Sequence, residues 1–235
     1  MGIRLERKKK RVLIASILYR LIKLPISDRS KFKLFLNAEW MFERLIHEMS
    51  FRVYQPEDHP LRKKAFSFMF RNLKPEYTVL DLGCANGEIA TRIAENVKFV
   101  VGIDKSEELI RKAKKYEVEN LVFVCADGVK YLESCDRNFD VLVLSHILEH
   151  LDEPVIFLNQ FKKFFRFLYI ELPDFDRSAA SHYREDLNLQ LNYTDDDHVS
   201  EFDRDEMSDL FLNCGLTVLD SQFIFGMQRY WCAIN

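Results

Sequence analysis

From residue 78 onward the chain alternates short, continuously apolar runs with longer stretches of helical periodicity, the pattern of a mostly parallel α/β sheet. Residues 79–82 (VLDL), 98–103 (KFVVGI), 121–125 (LVFVC), 139–144 (FDVLVL) and 167–171 (FLYIE) predict five strands buried on both faces. Between the first two, Ile89, Ile93 and Ala94 share one face of a helix over 88–94. A helix over 155–165 precedes the fifth strand, and a polar insert over 173–203 follows it. Residues 203–213 predict a helix stopped by Gly215, which can take the left-handed conformation that closes helices. Two last strands, 216–225 and 228–234, are joined at Gly226 as a hairpin. Upstream, 29–50 predicts a long helix with Leu36, Trp40, Leu45 and Met49 available for one face.

The junction after the first strand reads DLGCANGE. A bare glycine turn between strand and helix presents backbone N–H groups and a helix N-terminus to an anionic or polar ligand. It is not a dinucleotide fingerprint, because the third glycine position holds Glu88, and no lysine follows to make a triphosphate loop. Asp104 ends the second strand, 21 residues after Gly83, where an acid can accept both hydroxyls of a ribose. Asp127 ends the third strand, and Ser145 and His146 end the fourth. The competing role for either acid is to cap the helix that follows it.

The run from Asp81 to Gly87, D-x-G-x-A-x-G, resembles the D-x-G-x-G-x-G loop of class I S-adenosylmethionine-dependent methyltransferases, with Ala85 in place of the middle glycine. Residues 144–154 (LSHILEHLDEP) resemble those members whose segment after the fourth strand reads L-E-H-L. The resemblance runs from about residue 61 to the C-terminus. It implies a Rossmann-like, seven-stranded, mostly parallel sheet with an antiparallel last strand and helices on both faces. The cofactor implied is S-adenosyl-L-methionine, held by Asp81, Gly83, Cys84, Ala85, Asp104, Lys105, Asp127, Gly128 and Ser145. Asp127 would take the adenine amino group. Arg62 would reach the methionine carboxylate, unless it is simply a solvated arginine on a helix. The domain division is then a basic N-terminal helical extension over 1–60 and a methyltransferase domain over 61–235, with 173–203 as an acidic lid on the acceptor.

Composition adds little until it is split. At 235 residues and 48% hydrophobic, with 20 Phe, the chain suits one α/β domain with appendages. Its five cysteines lack metal or disulfide spacing and fit buried thiols in a reducing, cytoplasmic setting. Residues 1–33 carry 11 Lys/Arg against Glu6 and Asp28, net +9; residues 171–209 carry 13 Asp/Glu against three Arg, net −10. The apolar stretch after RKKKR is too short to span a bilayer and shows neither a signal-peptide cleavage site nor a myristoylation pattern. An N-terminal helix packed on the domain or on a second subunit accounts for it, as does a helix on anionic lipid through residues 1–25, at the inner face of a membrane. A basic tract also gives affinity for nucleic acid, but no recognition motif accompanies it, and an acidic lid would repel such a substrate.

Three histidines carry candidate chemistry. His146, where the fourth strand opens on the cofactor, is the first choice for the base that deprotonates an oxygen acceptor, and His198 in the insert is the second. Glu171 and Asp174 stand in reserve, and His150 is expected to hold the local turn. The run HILEH matches the zinc pattern H-x-x-E-H, but Pro154 cuts the segment short beside the crevice, so no metal is expected there. The acids at 195–197 with His198 offer ligands for a hard cation, or simply a solvated acidic loop. The function expected is methyl transfer to a small-molecule or saccharide acceptor, lipid-linked if the arm lies on a membrane. The alternatives are a non-catalytic cofactor-binding partner of another methyltransferase and, less favoured, a zinc metallopeptidase.

Overall fold

Seven strands form one sheet: β1 (Thr78–Leu82), β2 (Phe99–Asp104), β3 (Leu121–Cys125), β4 (Val141–Ser145), β5 (Phe167–Pro173), β6 (Leu216–Ile224) and β7 (Met227–Ile234). Their spatial order is β3-β2-β1-β4-β5-β7-β6. The first five pair in parallel, and β7 runs antiparallel between β5 and β6. The computed structural model describes residues 19–134, 138–195 and 197–235. The basic run at 7–11, Cys135 and the acid at 196 therefore lie outside the described residues.

Strand periodicity divides the core in two. Leu80, Leu82, Leu142 and Leu144 face the helices Pro154–Phe161 and Arg204–Asn213, through Leu158, Phe161, Met207 and Leu210. Val79, Val100, Val141 and Val143 face the other layer, where Phe68 and Met69 of Pro60–Asn72 pack with Ala90 and Ile93 of Glu88–Ala94. The valines lie in register across β2, β1 and β4 (Val79 opposite Val100 and Val141). Asp203 caps its helix with a reciprocal capping box through Glu206. The β6–β7 turn places Phe225 and Gly226 at φ 58° and 77°, a two-residue hairpin with both residues left-handed.

Three expectations need correction. The helix expected over 155–165 ends at Phe161 and tightens into a 3-10 turn, Lys162–Phe164. The insert is not merely polar loop, because it carries the helix Ala179–Asp186, whose Arg184 is buried. The long N-terminal helix, Asp28–Val53, does bury Leu36, but Leu45 and Met49 face outward. Its anchorage is polar. Trp40 Nε1 donates to the Tyr193 carbonyl (2.7 Å), and Arg44 donates to the Thr194 carbonyl and, in bidentate fashion, to Asp195. Arg177 pairs with Glu43, and Arg184 with Glu39. Helix and insert thus form one roof at the carboxyl end of the sheet. Among the described residues no helix is long and apolar enough to cross a membrane.

Candidate active site

The glycine turn closes tightly over the end of β2. Gly83 and Cys84 N–H both donate to the Ile103 carbonyl (2.8 and 2.9 Å), and Ala85 N–H donates to Asp104 Oδ2 (3.0 Å). Packing explains the glycines. A Cβ on Gly87 (φ 83°) would stand 2.5 Å from the Phe123 ring and 2.9 Å from Ala113, and one on Gly83 (φ 73°) would meet Ile147 at 2.5 Å. Ala85 takes the left-handed conformation too, at φ 47°, at the ordinary cost of about 1–2 kcal/mol for a residue with a Cβ. Gly128 opens its helix against Leu82, with no room for a side chain.

The acids divide between fixed and available groups. Asp104 also accepts from Ser106 N–H (2.8 Å), and Asp127 accepts from Lys130 N–H (3.0 Å) at the start of Gly128–Ser134, so both do hold local turns. Asp127 is nonetheless exposed at the mouth of the crevice, and Asp104 is only half-buried. Asp81 differs from both. It is buried, and its Oδ2 has no hydrogen-bond partner. Burial pushes its pKa up to about 7, against the favourable amide of Ala90. Cys84 is a buried thiol that burial pushes up, whereas Cys125, expected to be buried, is exposed at the end of β3. Lys105 is exposed, and its carbonyl faces the Cys125 thiol. Ser145 ends β4 half-buried, opposite Glu171. Arg62 is already engaged by Glu88 in the first turn after the glycines.

Next to this crevice, beneath the roof, lies a cavity of about 830 Å³. Crevice and cavity meet at 146–147, since Ile147 touches the glycine turn and His146 lines the cavity. His146 holds a left-handed backbone (φ 57°), and its N–H donates to the Glu171 carbonyl (2.8 Å). Its Nδ1 lies 3.0 Å from Oε1 of Glu149, a carboxylate with no solvent exposure. A carboxylate only accepts, so Nδ1 carries the proton and Nε2 is the free nitrogen. Burial pulls the His146 pKa down, but the Glu149 hydrogen bond and the charges of Glu171 and Glu149 carry it above the ordinary imidazole value.

His198 lines the same cavity, its Nδ1 held by buried Glu201 at 2.8 Å, and against the cost of burial that bond raises its pKa. His150, expected to hold its own turn, instead donates from Nδ1 to the Asp197 carbonyl (3.2 Å) and packs edge-on against His198. The H-x-x-E-H segment is a left-handed residue followed by a 3-10 turn, Leu148–His150, so His146 and His150 do not share a helix face. The reserve bases are tied up. Glu171 is locked by Arg229 (2.7 Å) and the Tyr169 hydroxyl, and Asp174 by Arg204 (2.6 Å).

The other wall comes from the long N-terminal helix. Trp40, Arg44, His47 and Ser50 line the cavity from Asp28–Val53 and Tyr54 from the cap that follows it, joined by Arg177 from the insert. Their spacing of three or four residues was visible as a polar and aromatic helix face. Nothing local marked that face as turned towards a site.

A family model described as a methyltransferase domain matches residues 73–200. The ubiquinone biosynthesis O-methyltransferase of Coxiella burnetii is 33% identical over 79 residues, covering 32% of this chain and 33% of that protein. A probable cobalt-precorrin-6B C(15)-methyltransferase (decarboxylating) of Methanococcus maripaludis is 33% identical over 92 residues, covering 36% and 51%. The chain thus matches between a third and about half the length of these curated relatives. The magnesium protoporphyrin IX methyltransferase of Synechocystis, solved with bound S-adenosylhomocysteine, superposes over 94% of both chains with TM-score 0.56. At 12% identity that likeness is one of fold.

Proposed function

The chain belongs to the class I S-adenosylmethionine-dependent methyltransferases, and on that premise we propose that it methylates an oxygen of a small-molecule or saccharide acceptor held under the roof. The observation that carries this reading is the His146–Glu149 pair at the end of β4, which leaves an imidazole nitrogen free on a residue that lines a cavity of ligand size. The residues present fit the cofactor. Asp104 and Asp127, at the ends of β2 and β3, would accept from a ribose and an adenine amino group. The unpartnered oxygen of buried Asp81 would take an ammonium group. When bound, S-adenosylmethionine supplies a sulfonium-activated methyl group. This chain's part is then to align the acceptor, exclude water and remove one proton. His146 Nε2 takes the acceptor proton while Glu149 holds the ring and stabilises the imidazolium. Trp40, Tyr54 and Phe225 offer apolar and aromatic contact, and Arg177, whose Nε is buried without a partner, offers a donor to an oxygen-rich acceptor.

His146→Ala should lower turnover by about 10²–10⁴ while S-adenosylhomocysteine affinity stays near wild type. Incubating labelled cofactor with cell extract identifies the acceptor by the mass of the labelled product. Wild-type protein that bound cofactor and labelled nothing would replace this reading with that of a non-catalytic partner. A lipid-linked acceptor draws support from the net charge of residues 1–33 and from exposed Leu21, Ile22, Leu24 and Ile26 beside them. Co-sedimentation with anionic vesicles, lost on removing residues 1–25, is the expected result. A dimer that became monomeric on that truncation would instead favour subunit packing.

A further inference from the structure

We propose that Glu149, His150 and His198 form a binding site for a borderline divalent transition ion, of which zinc is the type, in the wall of the acceptor cavity. One ligand atom from each of the three lies within 4.8 Å of the others. Glu149 is fully buried; its Oε1 accepts from His146, and its Oε2 is buried with no partner. A carboxylate oxygen left so is costly unless a proton or a cation meets it. Both imidazoles are held as metal-ligating histidines usually are, with Nδ1–H donated to an oxygen and Nε2 left as the lone-pair nitrogen. For His198 the acceptor is the buried Glu201 carboxylate, and for His150 it is the Asp197 carbonyl.

The two sides of the site are joined before any ion arrives. Val199 and Ser200 N–H both donate to the Glu149 carbonyl (2.9 and 3.2 Å), so the insert is stitched to the turn that carries the other two ligands. Two imidazoles and one carboxylate suit zinc, cobalt or nickel, whereas magnesium and calcium require a shell of oxygens. The exposed Asp197 carboxylate approaches His150 from the Nδ1 side (3.7 Å), away from the nitrogen left for the ion. Asp195 is engaged by Arg44. This set is distinct from the H-x-x-E-H pattern, since His198 takes the place of His146. Three protein ligands leave an open position, and here it would face the cavity, where it could hold an acceptor oxygen and lower its pKa. That use rests on the methyltransferase reading; the binding of the ion does not.

The test is competitive titration of chelator-treated, full-length protein with Zn²⁺ against a chromophoric chelator, with Co²⁺ as the spectroscopic probe. One Zn²⁺ per chain is expected, with no comparable binding of Mg²⁺, and Co²⁺ should give the visible bands of a low-coordinate site. His150→Ala and His198→Ala should each weaken Zn²⁺ by about 10²-fold or more, and Glu201→Gln, which removes no ligand, by about 10–100-fold. S-adenosylhomocysteine affinity should not change in any of them. His150→Gln guards against misfolding: its melting temperature in chelator should match wild type, and only wild type should gain on adding Zn²⁺. Absence of stoichiometric zinc, or zinc retained by the His150→Ala/His198→Ala double variant, would overturn the proposal. Zinc binding by a protein that methylates nothing would uphold the site and sink the acceptor reading.

Discussion

Around the glycine turn, contacts join neighbouring strands and helices of one sheet: Gly83 and Cys84 to Ile103, Ala85 to Asp104, Gly87 against Phe123. In the roof, Trp40, Arg44 and Arg184 find partners 153, 150 and 145 residues along the chain, and those partners are carbonyls and carboxylates. The crevice is shaped by steric exclusion inside a closed core, where a displaced methyl group is felt at once. The roof is held by polar pairs, several of them half-exposed, that can open without unfolding the sheet. A region closed by steric fit and a region held by polar pairs can therefore respond to change independently.

The largest expected effect separates the regions by breaking the roof. Glu39→Ala leaves the Arg184 guanidinium, 1% exposed, without its carboxylate, a loss of about 3–5 kcal/mol. Hydrogen exchange should rise across 28–53 and 177–201 while β1, β2 and β4 stay protected; a uniform rise would mean that roof and sheet are one cooperative unit.

Asp81 then tests the crevice by pH. Its folded pKa of about 7 lies above the ordinary 3.8, so between those values the folded state binds the extra proton. Stability of the cofactor-free protein should therefore fall as pH rises from 4 to 7 and level off above, by up to about 4 kcal/mol. Asp81→Asn should remove that slope in denaturant midpoints, and a slope unchanged by the substitution would refute the assignment. Gly87→Ala, which combines a left-handed alanine with overlap on Phe123, should cost about 2–4 kcal/mol and weaken cofactor. Smallest of all is Arg44→Ala. Its partly exposed pair with Asp195 is worth at most about 1 kcal/mol. Acceptor KM should rise while cofactor affinity holds, and a cofactor defect would show the two regions to be coupled.

The same contrast decides what could be read from the chain alone. β3 and the helix after the glycine turn have the bounds expected, because apolar runs and glycine positions are local signals. Asp104 and Asp127 fell at strand ends for the same reason. The roof escaped, although its helix was anticipated, because Leu45 and Met49 mimic a core-facing stripe while the anchoring face is the polar one. Glu149 was visible only as a letter in HILEH. Its burial and its nearness to His198 depend on the insert folding back over 49 positions of sequence. The engagement of Glu171 and Asp174 was not legible because their partners, Arg229 and Arg204, arrive from distant segments.

The hairpin between β6 and β7 has a consequence for how acceptor choice can be altered. Because β7 reverses direction beside β5, its turn emerges at the carboxyl end of the sheet and supplies Phe225, Gly226 and Met227 to the cavity wall. The Gly226 carbonyl there accepts from Asp174 N–H (2.9 Å), tying the tip to the start of the insert. A two-residue turn is the shortest such connection, and residues added at it would push into the cavity from the side away from the glycine turn. On the proposed reading of the cavity as the acceptor site, the hairpin is a dial for acceptor size that can be turned without retuning the cofactor crevice.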